Sequence, residues 1–197
     1  MGDIKSAREI AMEKIDKLGE PTEQERLEWK YLPEGEKLAA RYLKHDAQLA
    51  PELAKFDKNA AEYVSRSVNK VLIKNITLPV NEAAQKTNKL VLDGIRMIKT
   101  DKAKVDAIVN QMRQIFNHYA GQGEQQRKQA YAALKQDFTA KVQQALQQQM
   151  GANAAGMRID VEKQPQFLEE WRKVKTQLDA QYTQVLDGLK QQLEALK

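Results

Sequence analysis

Cysteine is absent from the 197 residues, and there are only two histidines, five prolines and nine glycines. Without cysteine there are no disulfides, no thiolate metal sites and no cysteine nucleophile, while the redox compartment stays open. With only His45 and His118, a histidine-rich metal site cannot be assembled. Neither H-E-x-x-H nor the Glu-x-x-His pair of di-iron bundles occurs. The glycines form no dinucleotide fingerprint and no GK[ST] loop. No apolar run approaches the length of a membrane span. Charged residues interrupt Met1–Leu18 from Asp3 to Lys17, so no secretory apolar segment is read there. These absences predict a soluble, cytoplasmic protein that is not an enzyme, holds no cofactor or metal and does not enter a membrane.

Glycine and proline fall between stretches of helical periodicity, which predicts an all-α chain. The clearest stripe is C-terminal. Phe167, Trp171, Val174, Leu178, Tyr182, Val185, Leu189 and Leu193 recur at steps of three and four from Pro165 onward. Such a helix is roughly 45 Å long and needs a partner of similar length. Glu124–Met150 supplies one, with a stripe through Tyr131, Leu134, Phe138, Val142 and Leu146 and other faces rich in glutamine. The expectation is a long antiparallel, coiled-coil-like helical hairpin over 124–197, its tip near 151–164, after an N-terminal helical bundle over 1–123. Facing the stripes puts Met150 near Phe167 and Trp171, and Tyr131 toward Leu189 and Leu193.

The bundle reads as short and medium helices. The first spans Ile4–Leu18, and the Thr22/Glu25 capping box opens a second that the Pro33-Glu34-Gly35 turn ends. A third runs from Glu36 to Leu49, and a fourth starts at Pro51 and carries its stripe to Val71. Asn81 and Thr100 or Asp101 are set to cap the next two, and Gly121 with Gly123 marks a loosening or kink. The β-branched run 71–80 and the alternating run 157–162 read as strands or extended connectors. Connectors fit better, because neither has a second strand to pair with.

The densest polar cluster lies at 117–131. His118, Tyr119, Arg127, Lys128 and Tyr131 stand where a helix end, a glycine hinge and a helix start meet. This reads either as a partner- or anion-binding corner, with Arg127 and Lys128 giving charge, or as a helix–helix joint with a solvated rim. Trp29 and Tyr31, beside Pro33, are a second candidate contact, since aromatics of this kind anchor interfaces or cover a core edge. The net charge is +5, with the surplus between Glu82 and Met150. Its signs alternate, which describes a solvated face better than a nucleic-acid stripe.

Ser6–Ala11 and Pro33–Arg41, together with the glutamine-rich stretch after Tyr119, resemble a family of uncharacterised bacterial helical proteins. The resemblance implies a bacterial cytoplasmic setting and brings no assigned activity. The functional expectation is a non-enzymatic interaction or scaffold protein whose partner is another protein or a second copy. The alternatives are an RNA- or ribosome-associated basic helical protein and an enzyme without a recognisable motif.

Overall fold

A computed structural model describes residues 21–151 and 160–196. The predicted helix Ile4–Leu18, and most of the predicted hairpin tip, lie outside the described residues. Among those described, all regular structure is helical. The elements are α1 (Glu23–Leu43), α2 (Leu49–Leu53), α3 (Lys58–Lys74), α4 (Glu82–Ile98), α5 (Lys102–Ala120), α6 (Gln122–Met150), a 3-10 turn (Val161–Lys163) and α7 (Pro165–Ala195). No described helix is long and apolar enough to cross a membrane. The chain divides into two compact units, 1–72 and 73–197, the division falling near the end of α3. The boundary expected at 123/124 falls inside the second unit.

In the first unit, α1 starts at the capping box read from sequence. Thr22 Oγ1 accepts from Glu25 N–H, and Glu25 accepts from Thr22 N–H at 2.8 Å. These bonds hold the Glu25 carboxyl below its ordinary range, the backbone bond contributing most. The helix does not stop at Pro33; it runs through to Leu43. Proline cannot donate to the carbonyl four residues back, so a helix that passes through it bends. From α3, Ser67 Oγ donates to the Leu32 carbonyl at 2.7 Å, next to the proline. The other end closes on His45, which takes φ 62. His45 N–H bonds to the Tyr42 carbonyl and Asp46 N–H to that of Arg41. This is the left-handed cap that glycine usually provides. The single helix expected from Pro51 is broken at 54–57, because Asp57 opens α3 by accepting from Ala60 N–H at 2.8 Å.

The run 71–80, where the first unit passes into the second, is helix as far as Lys74 and an irregular connector after it. Asn88, buried in α4, holds that connector. Its Oδ1 accepts from Thr77 N–H at 3.0 Å and its Nδ2 donates to the Thr77 carbonyl at 2.7 Å. One side chain thus does for Thr77 what a neighbouring strand would. Asn81 and Asp101 cap α4 and α5 through the N–H groups of Ala84 and Lys104, as their positions predicted. The run 157–162 is described from Asp160 on, and there it enters the 3-10 turn with Val161 buried.

Helices α5 and α6 form one long helix bent at Gly121, and α7 packs along both of them. Helix α5 lies between α4 and α7, which explains why its Val105, Ile108, Val109 and Met112 are buried. Helix α6 packs against α7 and the 3-10 turn, and its Leu134, Phe138, Val142 and Leu146 are half-buried.

The hairpin is therefore present, but its register differs from the one expected. Tyr131 packs edge-on against Phe167 and Trp171, with ring centroids 5.4 and 5.0 Å away. Phe138 also meets Phe167, at 5.7 Å. Leu189 and Leu193 are buried on the half of α7 that lies beyond Tyr182, the partner of α5 residues His118 and Tyr119. The first arm is thus α5 and α6 together. Lys99, just ahead of α5, is buried and donates from Nζ to the Leu196 carbonyl at the end of α7. Burial holds its ammonium below the ordinary lysine value, opposed by the charge of Glu194.

Candidate functional site

The bend between α5 and α6 is where the predicted polar cluster sits. Gly121 has φ −93 and ψ −88, which is off the helical path. The ladder nevertheless continues across it: Gly121 N–H donates to the Asn117 carbonyl at 2.9 Å, and Gln125 N–H to the Gly121 carbonyl at 3.2 Å. The side chains that fix the bend come from α7. Asp179 accepts from Tyr119 Oη at 3.3 Å and pairs with Arg127 at 3.4 Å, and the ion-paired side chains are 15% and 18% exposed. Arg127 also donates to the Tyr119 carbonyl at 3.0 Å and lies over the Tyr119 ring, 4.0 Å from its centroid. Burial raises the Tyr119 hydroxyl above the usual tyrosine value, and the Asp179 charge adds to this. Gly123 is buried under Tyr182; a Cβ there would lie 3.0 Å from the Tyr182 oxygen.

The five cluster residues are brought together only in part. His118, Tyr119 and Arg127 meet at the bend. Lys128 points away and pairs with Glu124 at 2.7 Å. Tyr131, one turn further along, joins the aromatic contacts with α7 and donates to Glu162 at 2.6 Å. That bond lifts the Tyr131 hydroxyl and lowers the Glu162 carboxyl, with Lys135 adding to the second effect. Arg127 faces inward, and its guanidinium is taken up by Asp179, the Tyr119 carbonyl and the Tyr119 ring. In the first unit, Tyr31 packs edge-on against Phe56 at 6.1 Å, whereas Trp29 is 67% exposed.

On one face of the joint lies an open groove of about 820 Å3 between α5, the start of α6, and α7. Ile115, Leu178, Val185 and Leu189 form its apolar floor, and Val185 is 53% exposed. Around them stand Gln111, Gln114, Gln126, Gln177 and Gln181. His118 and Tyr182 close one side, with His118 Nδ1 2.8 Å from the Tyr182 hydroxyl. No acid, lysine or arginine lines it. Its chemistry is therefore apolar contact plus neutral hydrogen bonding from amides that both donate and accept.

Sequence reasoning found the α5–α6 side of this place but missed Asp179, Tyr182 and the groove floor on α7. Asp179 carried a weak signal: it is an acid directly beside Leu178 of the buried stripe, where a charge needs a partner. Among the described residues, no three His, Cys, Asp or Glu side chains gather as metal ligands.

No curated protein and no solved structure matches the chain. The model of a family of unknown function, DUF6657, matches residues 50–195. Of the stretches that carry the resemblance, only the glutamine-rich one falls inside it. Since that span takes in α3 through α7 with the joint and its groove, the chain belongs to this family.

Proposed function

We propose that the protein is a non-enzymatic interaction module that holds an amphipathic helix of a protein partner in the groove between α5 and α7. The observation that carries this is the pairing of an apolar floor, with Val185 half exposed, and a rim of glutamines without a charged residue of either sign. A helix laid into such a groove buries its apolar stripe and offers neutral polar side chains to the rim. The setting we propose is a bacterial cytoplasm, on the resemblance drawn from the sequence, and cell fractionation tests it.

The RNA-associated alternative has less to draw on. Of the basic residues in 82–150, Lys86, Arg96, Lys104, Arg127, Lys128 and Lys135 are all in ion pairs. Lys99 and Lys102 bond to carbonyls. Pairing of this kind leaves little of the charge surplus for phosphates.

The test places a photo-crosslinking side chain at Gln181 in cells. A discrete adduct that Val185→Glu abolishes supports the groove, and sedimentation over a range of concentrations tells a second copy from another protein. An adduct pattern unchanged by Val185→Glu, or none, overturns it. Salt-sensitive RNA binding would favour the alternative.

A further inference from the structure

On the α4-facing side of α5, away from the glutamine-ringed groove, is a separate cavity of about 280 Å3. Its walls divide by chemistry. Pro79, Leu92, Phe116 and Ala120 supply the apolar part; Lys89 and Arg113 supply two cations, and no acid lines it. Of the carboxylates on α4 and α5, Glu82 pairs with Lys86 and Asp106 with Arg96, while Asp93 stands one turn from Lys89 on α4. Among the described residues, no hydrogen bond or ion pair is made by the Lys89 or Arg113 side chain. Among the described residues of this region, whose other cations are mostly paired, these two exposed ones line one concavity.

We infer that this cavity is a binding site for a small organic carboxylate with an apolar body, its charge held by Arg113 and Lys89 and its body against Leu92, Phe116 and Pro79. At about 280 Å3 it lies just below the usual range of ligand pockets, about 300 to 1,000 Å3, so only a small occupant fits. A guanidinium grips a carboxylate through two parallel bonds, and an ammonium adds a point charge. A bare phosphate would leave the apolar wall without a partner. The lining residues come from the connector, from α4 between Gln85 in its first turn and Leu92, and from the C-terminal half of α5. Asn88 is fixed by its two bonds to Thr77, so the wall that Pro79 forms is tied to α4.

The test uses the full chain, titrated with benzoate, isovalerate, benzamide and inorganic phosphate and followed by methyl and aromatic NMR. Benzoate is expected to saturate with a Kd on the order of 1 mM. Its shifts should centre on Leu92 and Phe116. Arg113→Gln should weaken it about tenfold, with Lys89→Gln acting in the same direction, and unchanged melting curves show that both variants fold. Benzamide binding as tightly as benzoate overturns the inference, because charge is then not read. Phosphate binding as tightly overturns it, because the apolar wall is then idle. No saturable binding of either carboxylate, or benzoate shifts that ignore Arg113→Gln, overturns it as well.

Discussion

Two places in this chain look alike as sequence: Pro33-Glu34-Gly35 in α1 and Gly121-Gln122-Gly123 between α5 and α6. The first reads as a helix stop and the second as a loosening or kink, and in neither does the helix end. The first is held by backbone contact. A Cβ at Gly35 would sit 2.5 Å from the Cβ of Ser67 and 2.6 Å from the Val64 carbonyl oxygen, so glycine is there to let α3 come close. The second is held by side chains. What lies over Gly123 is the end of Tyr182 and the end of Arg127, side-chain atoms and no backbone. A break-prone residue is thus kept inside a helix either by a neighbouring backbone that allows nothing larger, or by polar groups from a third helix that pin the bend.

The difference predicts unequal responses to the same change. Gly35→Ala should cost about 2–3 kcal/mol in urea unfolding, because the Val64 carbonyl cannot step aside. At the second bend the tie matters more than the space. Asp179→Ala leaves Arg127 half-buried without its counter-charge, and should cost about 1–3 kcal/mol. Gly123→Ala should fall within about 1 kcal/mol of the native protein, since the gain in helix propensity offsets a small displacement of the Tyr182 and Arg127 ends. If Gly123→Ala proves as harmful as Gly35→Ala, the contrast between the bends is lost. Gly188 is the reference: it lies inside α7 and a Cβ there meets nothing within 4 Å. Gly188→Ala should stabilise by about 0.5–1 kcal/mol, and a loss instead would mean that α7 is more tightly covered at that point.

What could be read from the sequence was what is local. The capping box at Thr22 and Glu25 and the caps at Asn81 and Asp101 depend on residues three apart, and each forms as its spacing implies. The all-α class and the long C-terminal hairpin follow from stripes repeating along single helices. What could not be read depended on contacts between helices. The contact that α1 makes beside Pro33 comes from Ser67, more than thirty residues away. The hairpin register was ambiguous because sliding one striped helix by whole turns still sets apolar against apolar. The sequence placed Tyr131 by Leu189, whereas the aromatic fit with Phe167 and Trp171 and the Arg127–Asp179 pair choose another register. Likewise, the cluster at 117–131 was visible as a run of polar and aromatic residues, but Asp179 and Tyr182, which turn it into a joint beside a groove, were not.

The register is the point on which the joint, the groove and the long first arm all depend, and the lack of cysteine makes it directly measurable. Spin labels on cysteines introduced at the exposed positions Lys128 and Lys175 report one register; labels at Lys128 and Gln192 report the one suggested by the stripes alone. The two sites on α7 are roughly 25 Å apart along its axis. Pulsed electron-spin distance measurement should find the 128–175 pair clearly the closer. A shorter distance for 128–192 would contradict the account, taking Asp179 and Tyr182 away from the bend and dissolving the groove.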